Sequence, residues 1–276
     1  MTKEVVPPRV DGLIDAHCHL DHAPMSEDTA ATLAAGNAAG VVQFVHVGCS
    51  KESHARAVAL AQAHPEVFAV VGIHPHEASS TDAETLADLE AMTQSTRVVA
   101  IGETGLDYFY DRSSREEQRH SMREHLTLSR RLNLPVVLHI RDAHQEALQI
   151  ARETPGRDTM PGMVHCFTAG PTEAKAWLDL GYHLSFSGIA TFPKCDEIRD
   201  AVRMCPSDRI LLETDAPYLS PVPVRGRDNQ PANVAFTCVR LAAVREQTPA
   251  NLATLAADNT RALLALPPPA SIAQPV

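Results

Sequence analysis

Short apolar runs recur along this chain, separated by longer stretches in which Ala and Leu are interleaved with charge. The runs at 13–19, 41–47, 67–73, 98–103, 135–140, 163–167, 183–187 and 210–214 are rich in Val, Ile and Leu and predict eight β-strands. Between them, 28–39, 52–63, 85–92, 116–132 and 173–180 have the composition and spacing of amphipathic helices. Polar caps open several of these, such as Ser26 ahead of Glu27 and Asp28, and Pro171-Thr172 ahead of Glu173. Strand and helix alternating in this way indicate parallel βαβ units. Eight of them predict an α/β protein with a single-domain (β/α)8 TIM barrel at 11–265, of about the usual length of ~250 residues. An open doubly wound sheet is the competing arrangement, but it carries fewer strands and gathers its binding residues at one switch point.

The ends differ from the middle. Residues 1–10 and 266–276 are proline-rich and are expected to be disordered tails. The stretch 220–231 (SPVPVRGRDNQP) holds too much Pro, Gly and charge for a helix and is expected to be a long loop at the active-site end.

Several of the apolar runs end in imidazole or carboxylate: LIDAHCH, AIGETGLD, PVVLHIR, GMVHCF and ILLETDAP. Side chains repeat every two residues along a strand, so His17 and His19 share a face and Cys18 takes the other. In a barrel, the C-terminal ends of the strands converge on one site. The candidate ligands there are His17, His19, Glu103, His139, His165 and Asp215: four imidazoles and two carboxylates with no thiolate, a set suited to divalent ions such as Zn, Mn or Mg. One catalytic ion normally uses about three protein ligands, so six favour two ions. Glu103, from a strand midway around the barrel, is the expected bridge. His17, His19 and Asp215 are assigned to one ion, and His139 and His165 to the other. Asp215 is also the candidate proton acceptor, so Asp215 and Glu103 form the catalytic pair.

Asp15 and Glu213 have the parity of the ligands one step deeper and are candidate partners of ligand imidazoles. His74, Arg141, Arg225 and Arg227 are candidate substrate-binding residues, and Asp107, Tyr108 and Tyr110 candidate walls of the site. The histidines of the helical segments, His54, His64, His120 and His125, are expected at the surface, and His46 and His183 in packing positions.

The net charge of −10 argues against a long duplex groove, which depends on many phosphate contacts from Lys and Arg, and leaves room for a substrate gripped at a chain end. Six cysteines without a CxxC pair point to reduced thiols, and with neither a signal-peptide core nor a long apolar run this suggests a cytoplasmic protein with no membrane association. No G-x-S-x-G elbow or nucleotide-binding glycine motif is present.

The fragments IDAHCHLD, GIHPH, AIGETGLDY, PVVLHIRDA, VHCFTAG, LSFSG and LLETDAPYL, in order over nearly the whole chain, resemble the motif series of the TatD family of metal-dependent deoxyribonucleases. The resemblance implies an amidohydrolase-like barrel and a two-metal phosphodiesterase acting as a 3′-5′ exonuclease on a DNA end or short oligonucleotide, with no obligate protein partner. It places the same six residues at the ions. Two departures lie near the substrate entrance: RGRDNQP carries Asp228 where the family has a basic residue and Gln230 where it has an acid, and Ala169 precedes Gly170 in the HCFTAG stretch. The alternative function is hydrolysis of C–N or C–O bonds by an amidase, lactonase or D-aminoacyl-tRNA deacylase, since related barrels use such ions for carbonyl attack.

Overall fold

The computed structural model describes residues 5–154 and 162–269. Eight parallel strands pair in the order of the chain: β1 (Leu13–Cys18), β2 (Val41–Gly48), β3 (Val67–Val71), β4 (Val98–Asp107), β5 (Val136–Arg141), β6 (Gly162–Val164), β7 (His183–Phe186) and β8 (Ile210–Leu212). A doubly wound sheet reverses its order at the switch point; here every strand neighbours the next. Cys18 pairs with Ala216 in parallel, and the Asp215 and His19 amides donate to His17 O (2.9 Å) and Ala216 O (2.8 Å), which draws the chain beyond β8 onto β1. The helices α1 (Thr29–Ala38), α2 (Lys51–Ala63), α3 (Ala83–Met92), α4 (Arg115–Leu132), α5 (His144–Glu153), α6 (Pro171–Asp179), α7 (Asp196–Met204), α8 (Val234–Val244) and α9 (Pro249–Leu264) alternate with the strands, as the single-domain barrel requires.

Strand parity divides the core. Val137, Met163 and Leu211, in step with His139, His165 and Glu213, pack with Val45, Phe68 and Val70. The intervening Val136, Leu138, Val164 and Leu212 pack with Met122 of α4, Ile150 of α5 and Trp177 of α6. The alternation that buries apolar residues on both faces therefore also turns the ligand-type residues to one face.

Three boundaries differ from the sequence expectation, each for a local reason. β4 runs on to Asp107 because Gly102 and Gly105 take positive φ, and a Cβ at Gly105 would lie 2.1 Å from His139 O. β6 stops at Val164 because the Cys166 amide turns to donate to Glu213 Oε1 (2.7 Å). β8 stops at Leu212 because the Thr214 amide donates to Asp15 Oδ1 (2.8 Å). Two helical histidines expected at the surface are buried instead. His54 Nε2 lies 2.7 Å from Gly72 O, and His125 Nε2 accepts from the Ile73 amide at 3.0 Å. Both satisfy backbone groups at the end of β3, a polar task that a helix-facing apolar residue cannot perform.

Of the expected tails, residues 5–10 and 266–269 are described and the rest lie outside the described residues. At their inner edges the Val10 amide donates to Ala39 O (2.9 Å), and Pro267 O accepts from Gln43 Nε2 (2.9 Å). The 220–231 segment is tied down by Asn229, whose buried side-chain amide donates to Thr214 O (2.9 Å) and Tyr218 O (2.6 Å). Among the described residues no helix is long and apolar enough to cross a membrane.

Candidate metal centre

Glu103 stands at the middle of a cluster of imidazoles, and its two oxygens face different members of it. Oε1 lies 2.8 Å from His165 Nε2, 2.9 Å from His139 Nδ1 and 3.5 Å from His74 Nε2. Oε2 lies 3.3 Å from His17 Nε2 and 3.9 Å from His19 Nε2. Asp215 Oδ1 completes the second side, 3.8 Å from His17 Nε2 and 3.5 Å from His19 Nε2. Among the described residues three groups of donors lie close enough to hold an ion: His17, Glu103 and His165; His17, His19 and Asp215; and His74, Glu103 and His139.

Buried acids below the cluster set its orientation. Glu213 Oε1 lies 3.3 Å from His165 Nδ1 and also accepts the Cys166 amide. Asp15 accepts from both the amide and the hydroxyl of Thr214 (2.8 and 2.6 Å), and so fixes the turn that presents Asp215 rather than an imidazole, which differs from the role expected of it. Val47 O, 3.2 Å from His19 Nδ1, holds that ring with Nε2 toward the cluster. Asp107 Oδ2 meets His76 Nε2 at 2.9 Å and His139 Nε2 at 3.3 Å, leaving His139 Nδ1 for Glu103.

The donor set fits divalent cations. Burial disfavours ionisation of Glu103, yet His165, His74 and His17 hold its carboxyl well below the usual range. Asp215 is lowered in the same way, against its burial, by its bond with His19 and by His165 and His17. Conversely, burial opposes protonation of His19 and His165, but the bond to Asp215 and the charge of Glu103 respectively raise them well above the usual value. Acids buried this close together call for positive charge facing them as a balance. Divalent cations at the same place would supply that balance and leave the imidazoles neutral, the form in which they ligate. Among the described residues Glu103 Oε2 and His17 Nδ1 are buried without a hydrogen-bond partner, and the facing Nε2 atoms of His17 and His19 are 3.3 Å apart. Two imidazole nitrogens and an unsatisfied carboxylate oxygen turned toward one another converge as ligands of a cation do.

Residues 14–265 match the family model described as TatD related DNase. The chain belongs to this family. It is 38% identical over 250 residues to an uncharacterized metal-dependent hydrolase, YcfH, of Escherichia coli K12, covering 90% of this chain and 93% of that one. It is 36% identical over 263 residues to the 3′-5′ ssDNA/RNA exonuclease TatD of Cronobacter sakazakii, covering 91% and 98%. The crystal structure of YjjV, a TatD homologue from Escherichia coli K12, superposes with a TM-score of 0.87 at 32% identity, covering 92% and 98%. This TatD-family chain is a metal-dependent hydrolase.

Within that TatD barrel all six expected ligands meet, and His74, expected to bind substrate, reaches Glu103 as well. The arginines do not converge. Arg141 has its guanidinium 3.8 Å from the Phe109 ring centroid, while Arg225 lies over Phe192 at 4.2 Å and is exposed together with Arg227. Three contributors escaped the sequence reading: His76, His22 and Tyr218. His76, in GIHPH, carries the ligand spacing of His17 and His19, but it lies beyond β3 in an irregular turn where parity says nothing. His22 and Tyr218, 3.4 Å apart between Nδ1 and the hydroxyl, come together beside His19 from opposite ends of the chain, with no local signal in either segment.

Proposed function

We propose that this hydrolase is a deoxyribonuclease that cleaves phosphodiesters stepwise from a 3′ end, with a site for two divalent ions that share Glu103. The observation that carries the two-ion reading is the division of the Glu103 oxygens, Oε2 toward His17 and His19 and Oε1 toward His139, His165 and His74. In this reading His17, His19 and Asp215 hold one ion, and His139 and His165, with His74 beside them, hold the other. Zn, Mn or Mg all suit the nitrogen and oxygen donors. When bound, such ions place positive charge against the transferring phosphoryl group and make water a better nucleophile.

The rest falls to the chain. Asp215 has the more open carboxylate of the two facing the imidazoles, 13% exposed against 3% for Glu103, and so is positioned to take the proton of the attacking water. Glu213 and Asp107 keep His165 and His139 from turning away. Arg141, two residues beyond His139 on β5, adds positive charge at the rim for a substrate phosphate, and Arg225 and Arg227 add it on the 220–231 loop. A shared carboxylate, where many carbonyl-attacking barrels use a modified lysine, favours phosphodiester over C–N or C–O cleavage. The exonuclease name of the Cronobacter relative supports the same choice, with DNA or RNA ends as substrate. The six unpaired cysteines suit a reducing, cytoplasmic setting.

The test is incubation of metal-loaded protein with single-stranded DNA, RNA and a panel of small esters and amides. Stepwise release of mononucleotides is expected. Turnover of esters or amides with oligonucleotides left intact would replace the nuclease with the carbonyl hydrolase.

A further inference from the structure

Just past the end of β4 the chain exposes two aromatic rings beside the centre. Phe109 is 57% and Tyr110 52% exposed, and their rings meet edge to face at 4.9 Å between centroids. Large apolar rings left open to water need a reason in a chain whose aromatic content is only 4%. The turn that carries them is rigid: the amides of Phe109 and Tyr110 both donate to Asp107 Oδ1, at 3.0 and 2.9 Å. The other oxygen of that carboxylate meets His76 and His139, and the His76 ring lies 5.4 Å from that of Tyr110. One side chain therefore fixes the distance between the rings and the imidazole facing Glu103. Positive charge surrounds the pair. The Arg141 guanidinium lies 3.8 Å from the Phe109 centroid and 4.8 Å from that of Tyr110, with Arg112 5.5 Å from Tyr110.

Resting on the nuclease reading, we infer that Phe109 and Tyr110 form a stacking platform for an unpaired nucleobase at the cleaved end, with Arg141 serving the adjoining phosphate. Ring faces accept any base and guanidinium planes serve both stacking and phosphate contact, so such a platform grips single strands with little sequence preference. A paired terminal base offers only its outer face, because its other face is stacked on the next pair. The platform therefore selects ends that are single-stranded or frayed.

The probe is a short single-stranded oligonucleotide with 2-aminopurine at its 3′ end and phosphorothioate linkages, added to the metal-loaded protein. Stacking on the wild type should quench the fluorophore. Tyr110→Ala and Phe109→Ala should each relieve the quenching and weaken binding on the order of tenfold, whereas Tyr110→Phe should retain both. With ordinary DNA the alanine variants should raise KM more than they lower kcat. Unchanged quenching and affinity in both alanine variants, with melting temperatures showing intact folds, would overturn the platform, as would a wild type that does not bind the probe. Binding and quenching by a wild type that turns over no oligonucleotide would instead remove the nuclease reading and leave the platform standing.

Discussion

Asp107 divides its carboxylate between two tasks, holding the aromatic turn with Oδ1 and the His76 and His139 rings with Oδ2. Burial works against its ionisation, but the bonds from His139, Tyr110 and His76 hold its carboxyl well below the ordinary range. A depressed folded value means the contribution is present above the unfolded carboxylate pKa and is lost only as pH falls through the folded one, so this tie persists under mildly acidic conditions. Asp107→Asn is expected to weaken uptake of the ion assigned to His139 by roughly 10–100-fold, as loss of a partner behind a ligand imidazole does. Competition against a chromogenic chelator measures it, and unchanged affinity would mean that His139 needs no such support. Asp215→Asn is expected to reduce turnover by about 10²–10⁴-fold, the usual worth of a placed proton acceptor, while the melting temperature stays near that of the parent. Near-parental activity in that variant would remove Asp215 from the mechanism.

At the scale of elements, β4 and α4 pack closely around the site. Gly105 lets β4 run against β5 where a Cβ would sit 2.1 Å from His139 O, at a φ of +144°. Gly105→Ala should cost about 2–4 kcal/mol and disturb His139, measurable as a lower urea midpoint together with lost metal uptake. α4 starts at a capping box between Ser114 and Glu117 and meets the segment just beyond β3 through His125, which bonds Ile73. The neutral His125 ring is satisfied at both nitrogens, with Nδ1 2.8 Å from Ser121 O and Nε2 accepting from Ile73. Burial pushes its pKa down to about 4. Because the folded value is lower than the unfolded one near 6.5, the unfolded chain takes up the proton first, and stability falls as pH drops from about 6.5 to 4. The difference amounts to about 3 kcal/mol. Urea midpoints at pH 7.5 and 5 should show about 2 kcal/mol of this loss, and His125→Gln should lower stability at pH 7.5 while shrinking the difference between the two pH values. An equal pH difference in both proteins would assign the acid sensitivity to other groups.

For the molecule as a whole, the ions should act as ligands of the folded state. No single strand carries the cluster: its members come from β1, β4, β5 and the segments after β1, β3, β6 and β8, so binding there ties these parts of the barrel together. At a hundredfold excess over the dissociation constant, one ion contributes about 2.7 kcal/mol, a rise of roughly 5–10 °C in melting temperature for a chain of this size. Chelation should reverse that rise and abolish hydrolysis. Metal analysis of the reloaded protein should give two ions per chain, and a saturating value of one would refute the shared Glu103.

The barrel and the cluster of imidazoles and acids at its rim were legible in the residues because both follow from a period of two: apolar runs define strands, and residues in step at their ends face one centre. His17, His19, Glu103, His139, His165 and Asp215 could all be picked out on that rule. The strand ends themselves could not, because Asp15 and Glu213 stop β8 and β6 by bonding Thr214 and Cys166, partners separated by 199 and 47 positions. Nor could the burial of His54 and His125, whose polar partners Gly72 and Ile73 lie just beyond the end of β3. The shared role of Asp107 and the exposed platform of Phe109 and Tyr110 likewise arise only when β3, β4 and β5 lie side by side. Periodicity is a property of local chain geometry and survives in the sequence. Which distant groups satisfy one another's hydrogen bonds is set by closure of the barrel, and tertiary structure alone decides it.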